Sequence, residues 1–131
     1  MIYFFIGIGG IVGSLVRYFL SIIASGLWGK GFPFGTLLIN LSGSFILGWF
    51  SSRFLVPKKL HPYILSAIST GIIGSYTTFS TFCIEAVHLI ENEAYIKGFL
   101  YVITSLFGGL LFVRMGMELG KRKLIKVGKT L

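Results

Sequence analysis

The stretch Ser69-Thr-Gly-Ile-Ile-Gly-Ser-Tyr-Thr-Thr-Phe-Ser-Thr-Phe-Cys-Ile-Glu85 closes a run, His61 to Ile84, that carries no Asp, Glu, Lys or Arg. Such a run exceeds the roughly 20 residues with which an α-helix crosses about 30 Å of hydrocarbon. Yet Ser69 to Thr78 contains Gly71, Gly74 and five Ser or Thr side chains, a poor composition for an unbroken membrane helix. Non-helical backbone at membrane depth survives only where protein or a cavity satisfies its polar groups. A break here would free carbonyl oxygens near the midplane, the ligands that hold alkali cations in transporters. The alternative is an intact helix whose hydroxyls bond back to their own turn.

Three further spans flank it. Phe32 to Ser52 is uncharged, Met1 to Trp28 contains only Arg17, and Gly98 to Val113 is bounded by Lys97 and Arg114, which can snorkel outward. Composition agrees: 54% of the 131 residues are hydrophobic and 12% charged, with a mean hydropathy of +0.87, too few charges to coat a soluble domain. The expected fold is all-α: one four-helix transmembrane domain over residues 1–131. Its helices fall at about 2–26, 33–55, 61–90 and 96–117, the third broken near the midplane, with a basic tail over 118–131. Met1-Ile-Tyr-Phe-Phe has no basic residue, which reads against a cleaved signal peptide. Cys83 has no partner cysteine, and His61 and His88 are isolated, so neither a disulfide nor a zinc site is indicated.

With four spans, both termini and the middle loop share a side. That side holds Arg53, Lys58, Lys59, Arg114 and the tail's Lys121, Arg122, Lys123, Lys126 and Lys129, nine cations against Lys30 and Lys97 opposite. The positive-inside rule makes both termini cytoplasmic. The net charge of +8 then reads as topology and lipid contact, with no nucleic-acid partner.

Without a hydrophobic drive between helices, packing in lipid relies on small residues and buried polar groups. Gly10, Gly13, Ser14 and Arg17 share one helical face, as do Asn40, Gly43, Ser44, Leu47, Gly48 and Ser51, and Tyr101, Thr104, Ser105, Gly108, Gly109 and Phe112. The polar members either pack or line a wet pathway. Arg17 is costly in a span and serves as a structural anchor or an attractor of anions. Phe79, Phe82 and Glu85 form a stripe that either packs or presents positive ring edges to an anion.

Gly9-Gly-Ile-Val-Gly-Ser-Leu-Val-Arg-Tyr18, Gly35-Thr-Leu-Leu-Ile-Asn-Leu-Ser-Gly-Ser-Phe45 and Gly74-Ser-Tyr-Thr-Thr-Phe-Ser-Thr-Phe82 resemble, in order and spacing, three segments of the CrcB/Fluc fluoride channels. The resemblance covers nearly the whole chain. It implies an antiparallel dimer with two fluoride pores built from both subunits. It also implies pathway roles for Asn40, Phe79, Phe82, Ser80, Thr81, Tyr101, Thr104 and Ser105, with Arg17 and Glu85 near the pore ends. A sodium ion on the dimer axis would be held by backbone carbonyls of Gly74 and Thr77. The implied activity is passive fluoride efflux across a bacterial cell membrane. One feature departs from the simplest family pattern. Homodimeric members insert both ways and need weak charge bias, whereas nine cations against two favour one orientation and hence an oppositely oriented homologous partner.

A small proton-coupled multidrug exporter would need a carboxylate deep in the membrane; the chain has no Asp, and its only embedded acid is Glu85. A non-transporting assembly subunit would not need the aromatic and hydroxyl string. No nucleophile–base pair or metal cluster points to an enzyme.

Overall fold

In a computed structural model the chain is described over residues 1–128, with side chains through Lys121; the tail's Lys129 and the side chains of Arg122, Lys123 and Lys126 lie outside that range. The described residues are helical, with no strand among them. Helix α1 spans Ile2–Trp28, and α2 spans Phe34–Phe50, prolonged by a π-helical turn over Ser51–Leu55. The third segment is composite: α3 (Pro62–Ser66), a π-helical stretch (Ala67–Ile73) and α4 (Gly74–Tyr76) lead to a non-helical link, and α5 (Ser80–Glu91) follows. Helix α6 runs over Tyr95–Gly128.

Local chemistry sets these ends. Gly29 closes α1 at φ 68°, a left-handed conformation that glycine adopts freely, and its N–H bonds the Ser25 carbonyl at 3.1 Å. Pro62 opens α3 at a position where its missing N–H costs nothing. Beyond α5, Glu93 turns left-handed at φ 58° and the Ala94 N–H reaches back to the Leu89 carbonyl at 2.9 Å. Helix α6 continues past 117, where the sequence reading ended it. No proline intervenes, and Gly116 and Gly120 keep the helix seated on Phe45, Trp49 and Ser52 of the α2 segment.

Among the described residues, three continuous helices are long and apolar enough to cross a membrane: Ile2–Trp28, Phe34–Leu55 and Tyr95–Lys121. Their large apolar side chains point outward, with Phe4 66%, Phe19 60% and Phe107 61% exposed. A soluble monomer rarely shows apolar surface on that scale. The chain is a membrane protein.

Its interior is built from close backbone approach. A Cβ on Gly9 or Gly13 would collide with the backbone carbonyls of Ala67 and Ile72, so α1 lies directly on the first half of the third segment. A Cβ on Gly48 or Gly116 would collide with the carbonyls of Val113 and Phe45, locking α2 to α6. Small residues permit such contact where lipid supplies no hydrophobic drive.

Candidate functional site

The link Thr77–Phe79 is the centre of the site. Thr77 turns extended (φ −76°, ψ 159°), which ends the helix and leaves peptide groups to be satisfied from elsewhere. Asn40, on α2, does this with both ends of its amide. Its Nδ2 donates to the Thr78 carbonyl at 2.9 Å, and its Oδ1 accepts from the Thr78 N–H at 2.9 Å. Few side chains carry donor and acceptor in one plane at that spacing. Thr78 is 8% exposed, so water is a poor substitute.

Two carbonyls are released as a result. In an unbroken helix the Thr78 N–H would bond the Gly74 carbonyl and the Thr81 N–H the Thr77 carbonyl. Asn40 takes the first N–H, and the Thr78 hydroxyl takes the second at 3.2 Å. The Gly74 carbonyl keeps only a long 3.4 Å approach from the Thr77 hydroxyl. These are the two oxygens the family resemblance assigns to sodium. They are hard, neutral donors of the sort that suits an alkali cation, and one chain supplies too few to complete a shell.

Beyond the break the polar groups continue along α5. The Thr78 hydroxyl donates to Thr81 Oγ1 at 3.0 Å and lies 3.4 Å from Ser80 Oγ. One turn on, the Glu85 carboxylate is fixed from both sides, by the Thr36 hydroxyl at 2.9 Å and the Tyr101 hydroxyl at 2.7 Å. Tyr101 is fully buried, its ring 5.1 Å from Phe82 and 5.6 Å from Phe32. A groove of about 260 Å³ opens between Asn40, Ser44, Thr77, Thr78 and Phe79. A second cavity of about 280 Å³, lined by Lys30, Thr36, Thr81, Glu85 and His88 among others, opens toward the α1–α2 connection. The hydroxyls of Thr78 and Thr81 lie between the two.

The expected site residues separate into groups. Asn40, Ser80, Thr81, Phe79 and Phe82 gather at the break, the two rings 5.9 Å apart. Phe79 is 77% exposed whereas Phe82 packs beside Tyr101, so the stripe splits into an outward and an inward ring. Tyr101 and Glu85 join each other, so the Tyr101 hydroxyl is already engaged. On α6, Thr104 is exposed, and the Ser105 hydroxyl is buried without a partner among the described residues. Arg17 is half-buried on α1, four residues beyond Gly13. Thr36 was missed, although its position four residues before Asn40 puts both on one stripe of α2. Thr78, the residue that Asn40 holds, was read only as one hydroxyl in a polar run.

Apolar membrane helices packed against an interrupted helical segment, where amide and hydroxyl groups converge, are the arrangement of membrane proteins that carry polar solutes past a broken helix. Residues 4–117 match the family described as CrcB-like protein, camphor resistance (CrcB), and this chain belongs to it. Among its relatives is the fluoride-specific ion channel FluC 2 of Geobacillus kaustophilus, 45% identical over 85% of this chain and 86% of the relative. The fluoride-specific ion channel FluC 1 of Bacillus cereus is 43% identical over 92% of this chain and 88% of the relative. That of a Staphylococcus aureus strain is 41% identical over 92% and 97%.

Proposed function

We propose that this chain is a subunit of a fluoride channel that lets cytoplasmic fluoride leak out of a bacterial cell. The observation carrying this is 45% identity, across 85% of the chain, with a protein named as a fluoride-specific channel. The site supports it, because its groups suit a small, strongly hydrated anion. Asn40, Ser80, Thr81, Thr104 and Ser105 offer neutral donors, and the exposed Phe79 and neighbouring Phe82 offer positive ring edges. Many weak contacts can replace water without trapping the ion, as conduction requires. Arg17 and Lys30 raise the local anion concentration beside the pathway. Fluoride moves down its gradient with the inside-negative potential, worth about 2.3 kcal/mol per charge per 100 mV, and no bond is made or broken.

The composite segment Pro62–Glu91 is the fourth span in this reading, and both termini face the cytoplasm. Two subunits pack antiparallel, and the cation bias makes the partner a homologue of opposite orientation. At the interface the carbonyls of Gly74 and Thr77 would hold a sodium ion, which would supply a fixed positive charge there. The exporter alternative is not favoured: both oxygens of Glu85, the one embedded acid, are occupied by Thr36 and Tyr101 rather than poised for proton exchange.

Anion-selective electrode measurements of efflux from liposomes test the proposal. Fluoride should leave vesicles containing this chain together with an oppositely oriented homologue, and chloride should stay. Equal efflux of both ions, or none from any assembled pair, would overturn it.

A further inference from the structure

Arg53 belongs to no part of the site described above. It lies half-buried in the π-helical turn Ser51–Leu55, and its Nη1 is buried without a hydrogen-bond partner among the described residues. A guanidinium N–H left in that condition is costly, so the position favours an anion. One face of the group is occupied by Phe54, whose ring centroid is 5.8 Å away, and with Nη1 covered an anion would meet the partly exposed remainder of the side chain.

The backbone brings more cations to the same place. The Lys59 N–H bonds the Phe54 carbonyl at 3.1 Å and the Lys58 N–H bonds the Leu55 carbonyl at 3.2 Å, folding the loop back over the turn. Gly120 of α6 packs so closely that a Cβ there would lie 3.4 Å from the Arg53 backbone nitrogen, and Lys121, the next residue, is exposed at this end of the bundle. The nearest acid along α6, Glu118, lies about 200° around the helix from Gly120. It is exposed and pairs with Arg114 at 3.9 Å.

Depth identifies the anion. Trp49 meets Phe54 at 5.7 Å, and Tyr63 meets His61 at 4.8 Å and Phe5 at 6.0 Å, so tryptophan and tyrosine ring this end of the bundle. Those side chains favour the headgroup level of a bilayer, where the abundant anion is a lipid phosphodiester. We infer that Arg53, with Lys58, Lys59 and Lys121 around it, forms a headgroup site for an anionic phospholipid. The inference rests on the membrane assignment and is independent of fluoride transport.

The full-length chain, purified in detergent, can be titrated with short-chain phosphatidylglycerol, short-chain phosphatidylcholine and inorganic phosphate while its unfolding temperature is followed. Phosphatidylglycerol alone should raise that temperature by several degrees. Arg53→Gln should weaken the response about tenfold, the loss of roughly one charge-assisted bond. Should Arg53→Gln fail to fold, the double variant Lys58→Gln/Lys59→Gln provides the second measure and should weaken the response about threefold. An equal response to phosphate would mean a free-anion site, and an equal response to phosphatidylcholine would mean general lipid stabilisation. No response at all would mean that another protein group pairs with Arg53. Any of these, or unchanged phosphatidylglycerol binding in a folded variant, overturns the inference.

Discussion

Replacing Asn40 by Leu tests the break directly. The branching of the side chain is conserved, with two bulkier methyl groups in place of the amide atoms, and both amide bonds to Thr78 disappear. A stranded buried peptide group costs about 1–3 kcal/mol, whereas interhelical hydrogen bonds measured in a membrane protein average nearer 0.6 kcal/mol. The Thr78 N–H also has an escape, since it can return to the Gly74 carbonyl and partly re-form the helix. Two bonds lost with partial recovery give an expected destabilisation of about 1–4 kcal/mol. Equilibrium unfolding in mixed micelles would measure it, alongside fluoride efflux from liposomes containing the oppositely oriented partner. Efflux should fall strongly, and any stabilisation by the proposed sodium ion should disappear, because Gly74 no longer offers a free carbonyl. Asn40→Asp separates the two halves of the clamp. It keeps an acceptor for the Thr78 N–H but sets a carboxylate oxygen against the Thr78 carbonyl and in the anion path. Stability and efflux should both be low at neutral pH and recover in acid, when the protonated carboxyl can donate. An Asn40→Leu protein with wild-type stability and efflux would refute the clamp.

Phe79→Ala should change stability by no more than about 0.5 kcal/mol because the ring is exposed, while Phe82→Ala, which opens space beside Tyr101, should cost about 1–3 kcal/mol; fluoride efflux should fall in both. Tyr101→Phe removes one bond to Glu85 and should cost about 1.5–3 kcal/mol in unfolding experiments, with Thr36→Val non-additive to it in a double-mutant cycle. Gly13→Leu should prevent a monodisperse protein on size-exclusion chromatography, because a Cβ already meets the Ile72 carbonyl; Gly26→Ala, with nothing within 4 Å, should be neutral or stabilising by up to about 1 kcal/mol. A C-terminal reporter should register only the cytoplasmic side, and a tail found on both sides would replace the paired arrangement with a dual-topology homodimer.

The sequence carried the all-helical class and the place of the break because both follow from short-range chemistry. Uncharged runs mark the spans, and glycine with hydroxyls marks the interruption at Thr77–Phe79. Asn40 was legible as a polar residue that lipid would not tolerate, but its partner was not, since the bond joins residues 38 apart and depends on how α2 leans against the link. Glu85 illustrates the same limit. Its position in the Phe79 and Phe82 stripe is a matter of spacing, whereas its pairing with Thr36 and Tyr101 needs three helices in register. The long α6 went unread past 117 for a different reason: a basic, polar run signals the end of a membrane span but not the end of a helix.

The clamp also bears on how the chain is made. The donor and acceptor that satisfy the break come from a residue synthesised 38 positions earlier. Where the third segment is the fourth span, as proposed above, α2 precedes it into the bilayer, and the exposed peptide of Thr78 meets a waiting amide instead of hydrocarbon. The order of helices along the gene is thus part of the fold's chemistry. A circular permutant that placed α2 after the third segment would encode the same final contacts, yet it would release an unsatisfied break into lipid first, where a straightened helix or an aborted insertion is the easier outcome.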